Sequence, residues 1–183
     1  INETGSATDS TDLLVKLRDF LVNNCGFTEI DNKADGNGQR IHFTKNGQNY
    51  NFRSYVNEAP YSNQSSFDNG EWVDSEPVNE GISANLSLDY DTNTEWDRQK
   101  GYNTTGAPIL RTNGNIIEYD FFYNGKSVHI AAQVDSGIYE HMTFGELDSE
   151  ISRPIQFISA TFHHNFDDPS SDLVNDISDI HLY

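Results

Sequence analysis

Between Tyr123 and Leu147 the chain reads YNGKSVHIAAQVDSGIYEHMTFGEL, which places the imidazoles of His129 and His141 close to the carboxylates of Asp135, Glu140 and Glu146. A histidine beside a carboxylate is the minimum set for general acid–base chemistry, because imidazole titrates near neutral pH and a carboxylate can orient it. The spacing here argues against that use. Glu140 and His141 are adjacent, and adjacent strand residues point to opposite faces, while His129 belongs to another strand and meets either only through register. No HExxH helix, G-x-S-x-G elbow or phosphate-cradling glycine pattern accompanies them. The expectation is a strand with Tyr139, His141 and Thr143 on one face and Glu140, Met142 and Phe144 on the other, with charges at the sheet margins. No catalytic residue is assigned, and the chain is not expected to be an enzyme.

Other groups could hold a ligand. In DYDTNTEWD the oxygen-bearing side chains of Asp89, Asp91, Asn93, Glu95 and Asp97 fall at every second position, much as an EF-hand loop begins, since calcium needs six or more converging oxygens. The sixth position is Thr94 instead of Gly and the twelfth is Lys100 instead of Glu, so the sharp turn and the bidentate ligand are missing. A solvated acidic loop is expected, with calcium in another geometry left open. His163 and His164 precede Asp167 and Asp168, but neighbouring side chains of an extended segment diverge, which suggests an exposed linker. Cys25 sits at the C-terminal end of a helix, away from the end that lowers a thiol pKa, and is expected to be idle. Trp72 and Trp96 lie in polar loops, as packing anchors or as sugar-stacking platforms. No metal and no cofactor is assigned.

The elements that position these groups follow from periodicity. Residues 1–9 are small and polar, an expected flexible tail. Ser10 or Thr11 can cap a helix whose apolar stripe is Leu13, Leu14, Leu17, Phe20 and Leu21, and Gly26 supplies its left-handed stop. Phe27 to Ile30 can form a short strand before a loop over DNKADGNGQR. IHFTKNGQNYNFRSYV is a hairpin turning at Asn46-Gly47. Residues 57–81 read as a long loop or arm of the kind that serves function or a neighbour. Ile82, Ala84, Leu86 and Leu88 alternate with polar residues, which describes a strand with one buried face. Ile116 to Phe122 and Lys126 to Val134 flank Asn124-Gly125, and Ile138 to Leu147 follows a turn at 135–137. The expected fold is α+β, mainly an antiparallel β meander with one N-terminal amphipathic helix and long polar arms. Residues 10–150 form the single domain and 151–183 a C-terminal arm. Core or interface candidates are Leu13, Leu17, Phe20, Phe121, Phe122, Val128, Ile130, Tyr139 and Phe144.

At 183 residues the chain suits one domain. Its mean hydropathy of −0.67 is low, but 12% aromatic residues allow a small core. With 29 acidic and 11 basic residues the formal charge is −18, which repels phosphates and anionic membrane surfaces and argues against sequence-specific nucleic-acid binding. A basic protein partner, divalent cations, or a surface past which DNA slides are the charges' natural complements. One cysteine excludes an intrachain disulfide and favours a reducing, intracellular origin. No apolar run approaches the ~18 residues that read as a membrane-spanning helix, and INETGSATDS has no signal-peptide pattern, so neither membrane anchoring nor signal-directed secretion is expected.

The succession IIEYDFF, YNGK, VHIAAQV and IYEHMTFGELD, preceded at a distance by the helix DLLVKLRDFLVNNCGF, resembles a segment of virion structural proteins of tailed bacteriophages. It covers Ile116–Asp148 and, more loosely, Asp12–Phe27. The resemblance implies a structural subunit of a tail or neck, of the tail-terminator, tail-completion or connector kind, made in the bacterial host cytoplasm. Its implied partners are its own copies in a homo-oligomeric ring and other tail or neck proteins, with DNA passing through an acidic channel. A baseplate or tail-tip subunit is the alternative within that class. From another class, a carbohydrate- or host-surface-binding β module, calcium-assisted, would use Trp72, Trp96 and the Asp89–Asp97 loop. YEHMTFGEL is expected in a core sheet and subunit interface.

Overall fold

The computed structural model of the protein describes residues 1–58, 65–68, 71–74, 80–101, 108–112, 114–147 and 155–160, and its first element corrects an expectation. Residues 1–9 are not a flexible tail: strand β1 (Asn2–Ala7) runs antiparallel to a later strand, with Asn2 opposite Phe122 and Ala7 opposite Ile116. Backbone hydrogen bonding, to which small polar residues contribute as well as apolar ones, holds it there. Gly5 is required where the Tyr119 ring crosses β1, since a Cβ would stand 2.7 Å from Tyr119 Oη.

Helix α1 spans Ser10–Asn24 and is capped by Asp9, not by Ser10 or Thr11. Asp9 Oδ1 accepts from Asp12 N at 2.8 Å, and Asp12 Oδ2 accepts in return from Thr8 N at 3.0 Å. Ser10 is instead buried and donates to Tyr55 O at 2.6 Å. Gly26, at φ 72°, stops the helix as expected.

The remaining strands are β2 (Thr28–Asp35), β3 (Gly38–Lys45), β4 (Gln48–Val56), β5 (Ser65–Asp68), β6 (Glu71–Asp74), β7 (Glu80–Ser87), β8 (Ile109–Arg111), β9 (Ile116–Tyr123), β10 (Ser127–Asp135), β11 (Ile138–Leu147) and β12 (Ile155–Ala160). They form two five-stranded antiparallel sheets, here sheet A (β1-β9-β10-β11-β12) and sheet B (β2-β3-β4-β7-β8), and the separate hairpin β5-β6. The fold is α+β and mostly antiparallel β, with α1 the single helix of the described residues. Asn46 (φ 51°) and Gly47 (φ 78°) make the anticipated β3–β4 turn. Three stretches are more regular than expected. DNKADGNGQR is not a loop but the end of edge strand β2 and the start of β3, polar because an edge strand has a wet face. The arm at 57–81 contains β5 and β6, its other residues at 59–64, 69–70 and 75–79 lying outside the described set. The C-terminal arm expected at 151–183 contains β12, which pairs with β11, Phe144 opposite Ile158; its residues 151–154 and 161–183 lie outside the described set.

The inner faces meet in one apolar core. Phe121, Val128, Ile130, Met142, Phe144 and Ile158 of sheet A face Ile41, Phe43, Tyr50, Phe52, Ala84 and Leu86 of sheet B, with Leu13, Leu14, Leu17, Phe20 and Leu21 of α1 joining them. The helix touches β3, β4 and β7 of one sheet and β1 and β9 of the other. Phe144 is the joint between the sheets, its ring centroid 6.1 Å from Phe27, 5.9 Å from Tyr50 and 5.1 Å from Phe52. At the C-terminal end of α1, Lys45 Nζ donates to Cys25 O at 2.8 Å and sits 4.7 Å and 4.4 Å from the ring centroids of Phe27 and Tyr123. A cation between two rings at a helix C-terminus satisfies both the ring quadrupoles and the helix dipole. Lys45→Met, which keeps the stem and removes the charge, is expected to cost about 1–2 kcal/mol, measurable as a lowered urea midpoint with unchanged slope.

Candidate functional site

The two sheets differ in what covers their outer faces. On sheet B, Asp31, His42, Asn51 and Asn85 stand in one cross-strand row, and Lys33, Arg40, Arg53 and Ser83 in the next. Residues 88–101 fold over these rows. Tyr90 lays its ring 4.5 Å from His42, centroid to centroid, and its hydroxyl bonds to Asp31. Beneath it, His42 Nδ1 and Asn51 Oδ1 are 2.7 Å apart, Asn51 Nδ2 donates to Ser87 Oγ at 3.0 Å, and Ser87 Oγ donates to Asp89 O at 2.9 Å. Burial, against the Asn51 contact, pulls the His42 pKa down. Burial alone would raise the Asp31 carboxyl, but the Tyr90 hydrogen bond and the Lys33 ammonium 2.9 Å away outweigh it and hold it at about 2. Cations in register would repel. Here Arg40 has Glu95 at 3.8 Å, and Arg53 has Asp35 at 3.3 Å and Glu58 at 2.9 Å. This polar face is built into the scaffold. For the same reason β7 is buried on both faces, not one.

The loop's own candidates serve its shape. Asp89 Oδ1 accepts from Tyr90 N at 2.9 Å, and Asp91 Oδ1 accepts from Asn93 N at 2.9 Å and from Asn93 Nδ2 at 3.1 Å. The Asn93 amide holds the exposed Asp91 carboxyl below its usual pKa. Glu95 turns to Arg40, and among the described residues no three His, Cys, Asp or Glu side chains gather around one point. Trp96 is 4% exposed and therefore a packing anchor, not a stacking platform; the Trp72 side chain, His163 and His164 lie outside the described set. Cys25 is buried, and burial pushes its thiol to about 11, Lys45 opposing, so it is idle at neutral pH.

The stretch with the two histidines forms β10 and β11, and alternation sorts its groups as anticipated with one correction. Glu140 is not at a margin but on the inner face, 2% exposed, where burial raises its pKa to about 7 against the charge of Arg111. On the outer face of sheet A the register places His129 between Phe122 and Thr143, and His141 opposite Ala131, itself opposite Asp120. His129 Nδ1 lies 2.7 Å from Thr143 Oγ1, and His129 Nε2 lies 3.3 Å from His141 Nδ1. Burial first, and the neighbouring His141 second, lower the His129 pKa. His129 has a neighbour at each ring nitrogen, Thr143 at Nδ1 and His141 at Nε2. Phe122, His129, His141 and Tyr139 thus run diagonally across the sheet. Of the core or interface candidates, Leu13, Leu17, Phe20, Phe121, Val128, Ile130 and Phe144 are fully buried, whereas Phe122 and Tyr139 are 51% and 45% exposed on this face.

Sequence reasoning missed the covered polar face and the meeting of the two imidazoles. A usable signal for the first was the alternation of His42, Asn51, Asn85 and Ser87 with apolar residues on central strands, which demands a cover. The second depended on the register set by the turn at Asp135–Ile138, where the pairing shifts. No protein-family model matches the chain, and no curated protein matches its sequence.

Proposed function

We propose that the protein is a non-catalytic structural subunit of a bacteriophage tail or neck, of the terminator or connector kind, that works by assembling with its own copies into a ring and contacting neighbouring virion proteins. The observation that carries the reading is the contrast between the two outer faces. Residues 88–101 cover the central polar rows of sheet B, while sheet A leaves Phe122 and Tyr139 half exposed on a regular sheet surface. Aromatic side chains that stand out from a flat surface are what protein interfaces bury at their centres. The resemblance of Ile116–Asp148 to virion proteins covers β9, β10 and β11, the strands that present this face. The charge of −18 suits a lumen past which DNA moves without adhering. A sugar-binding role built on Trp96 loses its platform, because that ring is buried.

Phe122→Asp tests the reading by sedimentation velocity. The substitution lies on an exposed position and should leave folding intact, yet it places a charge in the centre of the proposed contact. The expected result is loss of the assembled species to single chains of 20.7 kDa. An assembly unaffected by Phe122→Asp and by Tyr139→Asp would remove this face from the contact.

A further inference from the structure

We propose that His129 and His141 form a two-imidazole site for a borderline transition-metal ion of the Cu(II), Ni(II) and Zn(II) class, open toward solvent on the outer face of sheet A. The two nitrogens that face each other, His129 Nε2 and His141 Nδ1, are 3.3 Å apart. That contact can be an N–H···N hydrogen bond between the two rings, whose proton a metal ion would replace. It lies near the bite of such an ion, because two imidazole nitrogens each about 2.0–2.1 Å from the metal stand about 3.3 Å apart at a tetrahedral angle and about 2.9 Å apart at the right angle that copper and nickel favour. The ring planes are 26° from parallel, so modest rotation of each ring aims both lone pairs at one ion.

The surroundings prepare the site. Thr143 Oγ1, 2.7 Å from His129 Nδ1, can accept that N–H and so leave the lone pair on Nε2, the arrangement by which outer partners fix the tautomer of metal-binding histidines. The ligands project from two adjacent, fully paired strands, which fixes their spacing. Both rings are only half buried, so an ion can reach them. Asp120 and Glu118, exposed on the same face of β9, add to a strongly negative chain that concentrates cations. No third His, Cys, Asp or Glu joins the pair among the described residues. The remaining coordination positions therefore go to water or to a residue of another chain. Binding is a property of each chain, so it stands or falls separately from assembly.

The test is isothermal titration of the purified full chain with copper(II) and, separately, nickel(II) chloride at pH 7.5, against His129→Ala, His141→Ala, His141→Gln and Thr143→Val. The expected result is one ion per chain, tighter for copper than for nickel, and lost in all three histidine variants. It should weaken roughly ten-fold in Thr143→Val. Circular dichroism of the variants separates loss of the site from loss of the fold, with His141→Gln retaining the bulk of the ring position. Binding that survives in His129→Ala and His141→Ala would place the ion on other histidines and overturn the proposal, as would a wild-type chain that binds neither ion.

Discussion

Phe144→Ala is expected to remove about 3–5 kcal/mol of stability, a large share of the total if that lies in the ordinary range of about 5–15 kcal/mol. The side chain has no exposed surface and contacts three rings, Phe27, Tyr50 and Phe52, contributed by the α1–β2 connection and by β4 of the opposite sheet. Its removal opens a cavity where the two sheets meet, a place that cannot collapse without moving both. Urea denaturation followed by tryptophan fluorescence measures the loss. Phe122→Ala is the internal control: the same residue type, adjacent to the core residue Phe121 but on the outer face of sheet A, should change the stability of the single chain by no more than about 0.5 kcal/mol. Equal effects of the two substitutions would mean that the inner and outer faces have been assigned wrongly.

Glu140→Gln is expected to stabilise the protein at pH 8 by up to about 3 kcal/mol and to have little effect near pH 4.5. The Glu140 carboxyl titrates at about 7 in the fold instead of near its ordinary 4.5 because it is buried, with Arg111 offsetting part of the effect. A group raised in this way contributes its full stability below the unfolded pKa and loses it as pH rises through the folded one. An amide of the same shape carries no charge at either pH, so the difference between variant and wild type should grow between pH 4.5 and 7 and then level off. His42 and His129 act with the opposite sign. Their folded pKa values are lowered, so their contribution is intact above about 6.5 and falls as pH drops below it. Thermal unfolding of both proteins across pH 4.5–8 isolates the Glu140 effect, since the histidine contributions cancel in the comparison. A constant difference across that range would contradict a buried, titrating Glu140.

What the sequence made legible was set by local physics. The apolar stripe from Leu13 to Leu21, the stop at Gly26, the Asn46-Gly47 turn and the alternation of β10 are decided by residues within a few positions of one another, and each was readable. The error at the helix cap was a contest between three neighbouring short polar residues, in which Ser10 found a distant acceptor on Tyr55 and left the cap to Asp9. Strand β1 escaped notice because its partner β9 lies far along the chain and no local signal records it, whereas β12 and the polar remainder of β2 pair with their chain neighbours β11 and β3 and had been read as an arm and a loop. The same limit applied to the candidate site. Period-two alternation placed His141 and Tyr139 on one face, but only register brings His129 to His141, and only the path of residues 88–101 decides that His42 is sealed while Phe122 stays open.

The central claim is that this protein works by assembly, and the solution mass of the chain tests it most directly. Static light scattering of the purified protein over a wide concentration range, with and without calcium, should give a discrete multiple of 20.7 kDa that calcium does not change. A mass of one chain at every concentration would contradict the assembly reading.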